Sequence, residues 1–162
     1  DDELEAYLIG QRGLEEARAV KITSLAEGNI NYALKLAEGD EDDNAQRFIE
    51  WMRACFKKNY ISLVPMAEDY HALDKLQQKN LMTYSINVMR ETLLRISGAT
   101  DMNRSRGDEL KFIQDFSKVM TLEKIEKSFT LMNDANYHLE RNGSAKMIFL
   151  DLSIKLASTI NP

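Results

Sequence analysis

The chain has 162 residues, with 21 Lys and Arg against 26 Asp and Glu and a net charge of −5. That length suits one ordinary domain, or a small domain with a piece of another, and the acidic balance argues against an intrinsic nucleic-acid surface, whose footprint is basic. A single cysteine, Cys55, excludes an internal disulfide and points to a reducing compartment, and no apolar run approaches the roughly 18 residues of a membrane span.

Two prolines and seven glycines, in a chain rich in Leu, Ala, Glu, Lys and Met, predict an all-α protein, a helical bundle. The chain starts at Asp1 rather than methionine and shows no signal peptide, so a fragment of a cytoplasmic protein is expected. The glycines are expected to fall where periodic segments end.

Asp1 to Leu8 predicts a short helix with acidic residues in its first turn, and Gly10 to Gly13 a turn. Leu14 to Glu27 predicts the next helix, with Ala17, Val20, Ile22 and Leu25 inward. Gly28–Asn29 ends it and starts a third, Ile30 to Ala37. Gly39 and the run Asp40 to Asp43 mark a boundary, and the acidic run suits the positive start of a further helix.

Asn44 to Lys58 carries a broad apolar face of Phe48, Ile49, Trp51, Met52, Cys55 and Phe56. Ile61 to Leu73 follows, with Pro65 near its first turn or at a kink. Asp74 and Gln77 form a capping box before the longest helix, Lys75 to Ser97. There Met82, Ile86, Met89, Leu93 and Ile96 recur at steps of 4,3,4,3. Ala99 to Gly107 is polar and aperiodic and predicts a mobile loop. Asp108 starts a helix through Met120, with Leu110, Ile113, Phe116 and Met120 on one face. Thr121 caps Leu122 to Arg141, whose stripe is Leu122, Ile125, Phe129, Met132, Asn136 and Leu139.

Asn142–Gly143 breaks the chain and Ser144 caps the last helix, Ala145 to Ile160. Its alternation would also suit a strand, but a run of this length favours a helix. The helix then has two apolar faces. Met147, Leu150, Ile154 and Ala157 form one; Ile148, Phe149, Leu152 and Leu156 form the other. Asp151, Lys155 and Ser158 lie between them, the first two as an i,i+4 ion pair. A helix apolar on two sides needs neighbours on both, which places this one at the centre of the bundle.

Chemistry-bearing motifs are sparse. No phosphate-binding glycine loop, dinucleotide fingerprint or Cys-x-x-Cys is present, so no cofactor and no ATPase activity are expected of this chain. Cys55 has no base near it in sequence and reads as a small buried residue. Arg106–Gly107–Asp108 and the glycosylation patterns at Asn103 and Asn142 read as chance matches in a cytoplasmic chain. Glu68-x-x-His71 on one helix, with Asp134 and His138 on another, leaves a metal-binding bundle enzyme as an alternative, although di-iron bundles use two such motifs with further glutamates. Met82, Met89, Met120, Met132 and Met147 read as core filling.

Three stretches together resemble the C-terminal region of bacterial DNA polymerase III clamp-loader subunits. Leu25 to Leu34 contains Gly28–Asn29–Ile30–Asn31–Tyr32–Ala33–Leu34, similar to the Gly-(Ser/Asn)-x-x-x-Ala-Leu signature that ends the family's AAA+ lid domain. Met89–Arg90–Glu91–Thr92–Leu93–Leu94 is similar to an Arg-Asp-x-Leu segment late in a collar helix. Leu139 to Leu156 resembles the family's helix that ends in Asn and restarts as the last apolar helix.

The resemblance implies that residues 1–39 are the end of the lid domain and residues 40–162 a helical collar, joining the collars of other subunits in a ring. In the family's ATP-hydrolysing subunits an arginine of the lid signature touches the nucleotide. The matching position here is Asn31, and an amide cannot supply that charge. The departure favours the non-hydrolysing delta-prime branch, with gamma/tau or a diverged delta as alternatives. The implied partners are the gamma/tau and delta collars, with primed DNA and the sliding clamp met only through the whole complex. The fragment itself is expected to catalyse nothing, although the parent holoenzyme would be a DNA-directed DNA polymerase. Phe48, Trp51, Met52, Tyr84 and Tyr137 are the candidate contact residues. A generic helical adaptor remains a second alternative.

Overall fold

Residues 2–12, 16, 19–20, 22–23, 43–98 and 107–162 are described by the computed structural model, and every extended element among them is a helix. The seven are α1 (Asp2–Arg12), α2 (Asn44–Phe56), α3 (Tyr60–Ala72), α4 (Lys75–Ile96), α5 (Gly107–Val119), α6 (Leu122–Glu140) and α7 (Ala145–Ile160). No helix among the described residues is long and apolar enough to cross a membrane.

Local chemistry sets most of these starts. Asn59 accepts from Ser62 N at 3.3 Å to begin α3. Asp74 Oδ1 accepts from Gln77 N at 2.8 Å, and Gln77 Oε1 accepts from Asp74 N at 3.1 Å, completing the expected capping box of α4. Thr121 caps α6 through Lys124 N, and Ser144 caps α7 through Met147 N. Asp43 occupies the N-cap of α2 without a side-chain bond. Between α6 and α7, Asn142 adopts φ 61°, a left-handed conformation that asparagine tolerates. Gly143 follows where space is tight: a Cβ there would sit 2.8 Å from the movable Ile148 Cδ1 and 3.1 Å from His138 O.

The core lies where α7 meets α2, α3 and α6, and where α4 meets α2, α5 and α6. Phe48 stands at its centre, with Trp51, Tyr84, Phe112 and Phe116 all edge-on to its ring. Met52, Met82, Met89, Ile125, Met132 and Leu156 fill the space around it, all fully buried. Methionine suits this role because its unbranched stem adapts to irregular gaps. One hydrogen-bonded node joins the layers: Trp51 Nε1 donates to Ser153 Oγ at 2.8 Å, and Ser153 Oγ donates to Phe149 O at 2.6 Å.

Several expectations need correction. Gly10 to Arg12 continue α1 rather than turning, and Gly107 opens α5 rather than closing a loop; a helix tolerates one glycine at about 1 kcal/mol. Gly107–Asp108 of the Arg-Gly-Asp match are therefore helical. Pro65 lies in the second turn of α3, beyond the first-turn position that proline prefers. Leu122 and Ile96, expected on buried stripes, are 51% and 38% exposed, because each sits at a helix end beyond its neighbours. Of the second helix, residues 16, 19–20 and 22–23 are helical, with Ile22 buried and Val20 half-buried. Ala17, Leu25, the predicted helix 30–37, the acidic run 40–42 and the segment 99–106 lie outside the described residues.

The central place of α7 holds, but the first of its two apolar faces is covered only in part: Ala157 is buried and Leu150 half-buried against the core. Ala145, Phe149, Leu152, Ser153, Leu156, Ala157 and Ile160 are buried. Each large apolar side chain among them is worth about 1.5–3 kcal/mol. Met147 and Ile154 stay 61% and 44% exposed.

Candidate assembly surface

The exposed stripe of α7 continues across a groove onto α6. Lys124 Nζ fixes the pairing, donating to Val119 O at 3.2 Å and to Ile160 O at 2.9 Å. It thereby ties the start of α6 to the last carbonyls of α7, where a cation is favourable. Between the two antiparallel helices runs an open groove of about 530 Å³. Leu131 and Ile154 form its apolar floor, with Glu126, Lys127, Thr130, Lys155, Ser158 and Thr159 along its sides. Lys155 pairs with Asp151 at 2.8 Å and Lys127 with Glu123 at 3.5 Å, both exposed. Such pairs contribute little to stability but hold the lysine stems beside the floor. Met147 lies two turns from Ile154 on the same side of α7 and lengthens the stripe. This arrangement can bury one helix of a partner, side-on.

A second exposed apolar group surrounds the α2–α3 turn: Phe56, Tyr60, Ile61 and Val64, with Ile61 88% exposed. Asn161 Nδ2 donates to Phe56 O at 2.7 Å and anchors this corner to the end of α7.

Of the five expected contact residues, four are misplaced. Phe48, Trp51, Met52 and Tyr84 are buried in the core, and Tyr84 Oη donates to Glu109 Oε1 at 3.0 Å. An aromatic cluster on one helix looks the same in sequence whether it meets its own neighbours or a partner. Tyr137 is 51% exposed, with the Arg141 guanidinium 3.5 Å above its ring, so it does lie on the surface. Sequence reasoning placed Ile154 on an apolar face of α7 without singling it out as a contact, and did not name Leu131; the signal available was the two-faced pattern of α7 beside a half-polar α6. Asn31 and the lid-type signature lie outside the described residues.

No family model, curated protein or solved structure matches this chain.

Two of the four residues named for a metal, His71 and Glu68, both contact Lys146. His71 Nδ1 accepts from Lys146 N at 3.2 Å, and Glu68 pairs with Lys146 Nζ at 3.5 Å. Among the described residues no group of three or more His, Cys, Asp or Glu side chains could hold a metal ion. His71 instead caps the first turn of α7 from the neighbouring α3. His71→Ala is expected to cost about 0.5–2 kcal/mol, the worth of an N-cap, readable as a lower urea midpoint with an unchanged slope.

Cys55 is fully buried, and Sγ lies 3.6 Å from Ser153 O. Burial pushes its thiol up from 9.0 to about 12. The folded state thus favours the neutral thiol, and its stabilising effect is complete below pH 9.0 and lost as pH rises from there through about 12. Native protein is expected to resist a thiol reagent at pH 8 and to react at once after denaturation. Burial also raises the Tyr70 phenol, whose Oη donates to Gln78 O at 2.9 Å.

Proposed function

We propose that this chain is a non-catalytic assembly module, the collar of a bacterial clamp-loader subunit of the delta-prime kind. Residues 40–162 form the collar in this reading, and residues 1–39 the end of the preceding lid domain. The module joins the collars of gamma/tau and delta subunits into the ring that holds the ATPase modules while a sliding clamp is placed on primed DNA.

The observation that supports it is the exposed pair Met147 and Ile154 on α7, beside the half-buried Leu131 of α6, on a helix whose opposite side is packed into the core. Within a closed domain such a pair loses the burial energy of its side chains; against a partner helix it gains it. The resemblance of residues 25–34, 89–94 and 139–156 supplies the choice of partner, and Asn31 in place of an arginine supplies the non-hydrolysing subunit. No chemistry is assigned to the chain.

The test is size-exclusion chromatography of the protein with the cognate gamma/tau and delta collars at micromolar concentration. Co-elution as a complex is the expected result. Separate elution of all components would overturn the clamp-loader reading.

A further inference from the structure

The α2–α3 corner combines exposed apolar side chains with a charge opposite to that of the whole chain. From Trp51 to Ala67 there are three basic residues, Arg53, Lys57 and Lys58, and no acidic one, in a chain whose net charge is −5. Phe56 follows Arg53 by three residues and Lys57 follows it by four, so the three share one exposed side at the end of α2. Val64 follows Tyr60 by four and Ile61 by three, so these share an exposed side at the start of α3. Among the described residues no ion pair joins Arg53, Lys57 or Lys58 to a carboxylate. The nearest acidic residues in sequence, Glu50 and Glu68, are engaged with Gln46 and Lys146.

The turn between the two helices is firm. Lys58 N donates to Cys55 O at 3.0 Å and Asn59 N to Ala54 O at 2.9 Å, and Asn161 Nδ2 holds Phe56 O from the end of α7. Lys58 adopts φ 53°, a left-handed conformation that glycine takes at less cost. The position keeps a cation instead. Ile61, at 88% exposed, projects from the corner rather than lining a recess. The shape is the opposite of the α6–α7 groove: a tip with an apolar crown and basic flanks.

We propose that this corner docks on the surface of an anionic phospholipid bilayer. Phe56, Tyr60, Ile61 and Val64 enter the headgroup region, where rings and short apolar groups leave water. Arg53, Lys57 and Lys58 meet the lipid phosphates, their stems lying along the interface. Two weak signals, apolar and electrostatic, act together here and give reversible peripheral binding. Shape and chemistry favour this occupant over others of the same charge. A partner helix lies in a groove, and a projecting tip offers none. A single-stranded nucleic acid stacks its bases on rings, and Ile61, the most exposed of the group, has none. The acidic remainder of the chain is repelled by the same surface, which orients the molecule with this corner towards the lipid.

The test is co-sedimentation of the whole chain with vesicles made of equal parts phosphatidylglycerol and phosphatidylcholine. Saturable binding is expected, with a Kd on the order of 10⁻⁴ M in accessible lipid, the strength of a single acyl anchor. Vesicles of phosphatidylcholine alone are expected to bind about tenfold more weakly, and salt of about 0.5 M to release the protein from the anionic ones. Ile61→Asp, and separately Arg53→Gln combined with Lys57→Gln, are each expected to weaken binding about tenfold. Thermal unfolding, read by circular dichroism, is expected to stay as in the unaltered chain, because all three positions are exposed. No binding to anionic vesicles overturns the proposal, as does binding unchanged by these substitutions or equal on the two kinds of vesicle. Equal affinity for dissolved poly-L-glutamate or an oligo(dT) strand also overturns it, because neither offers an apolar layer. The corner shares no residue with the α6–α7 groove, so this outcome is independent of the assembly reading.

Discussion

Replacing Phe149 by alanine is expected to destabilise the protein by about 3–5 kcal/mol, the range for a buried aromatic truncated in a packed core. Phe149 is 3% exposed and carries a ring on each side, Trp51 and Tyr70, from two different helices. Its loss removes about two stacking contacts of roughly 0.5–1.5 kcal/mol each as well as the buried area. The void cannot collapse easily, because Trp51 is held by Ser153 Oγ and Tyr70 by Gln78 O. For a domain of this size the cost corresponds to a fall in Tm on the order of 10 °C. Thermal unfolding by circular dichroism reads it; a loss under about 1 kcal/mol would mean that α7 does not hold α2 and α3 together.

The second large effect concerns association and leaves the fold alone. Ile154→Asp places a carboxylate on the floor of the α6–α7 groove, at a position 44% exposed in the free chain. Surface changes of this kind usually shift stability by no more than about 0.5 kcal/mol. Buried beneath a partner helix, the same charge loses its water without gaining a counter-ion. A loss of 2 kcal/mol or more, typical of an interface centre, is about a thirtyfold rise in Kd for the proposed collar complex. Ile61→Asp, on the α2–α3 corner, serves as the matched control and is expected to leave that Kd unchanged. Equal loss in both variants, measured by analytical ultracentrifugation, would move the interface away from the groove.

Much of the fold was readable before any coordinates. The capping box at Asp74 and Gln77, the caps at Thr121 and Ser144 and the break at Asn142–Gly143 are local devices, settled within four residues of chain. Helix boundaries between Asn44 and Ile160 accordingly fall within one or two residues of expectation. What sequence could not resolve was coverage. Periodicity says that Met147, Leu150 and Ile154 share a side of α7; it does not say whether a neighbour reaches them. The same limit misplaced Phe48, Trp51, Met52 and Tyr84, whose apolarity fits a core and an interface equally. The His71 cap on Lys146 N was hidden for another reason. It joins residues 75 apart, and no pattern along one helix signals an acceptor supplied by the next.

The bond from Trp51 to Ser153 spans 102 residues of chain, and Cys55 reaches the carbonyl of Ser153 across 98. Helical proteins owe their fast folding to contacts close along the chain. Here the hairpin of α2 and α3 stays half-built until a segment synthesised about a hundred residues later arrives beneath it. The entropy of closing that long loop must be met before the ring pile can form. Refolding kinetics slower than those of an up-and-down bundle of equal size, with α7 docking as the late event, are the consequence of placing the most apolar rod so far from the helices it supports.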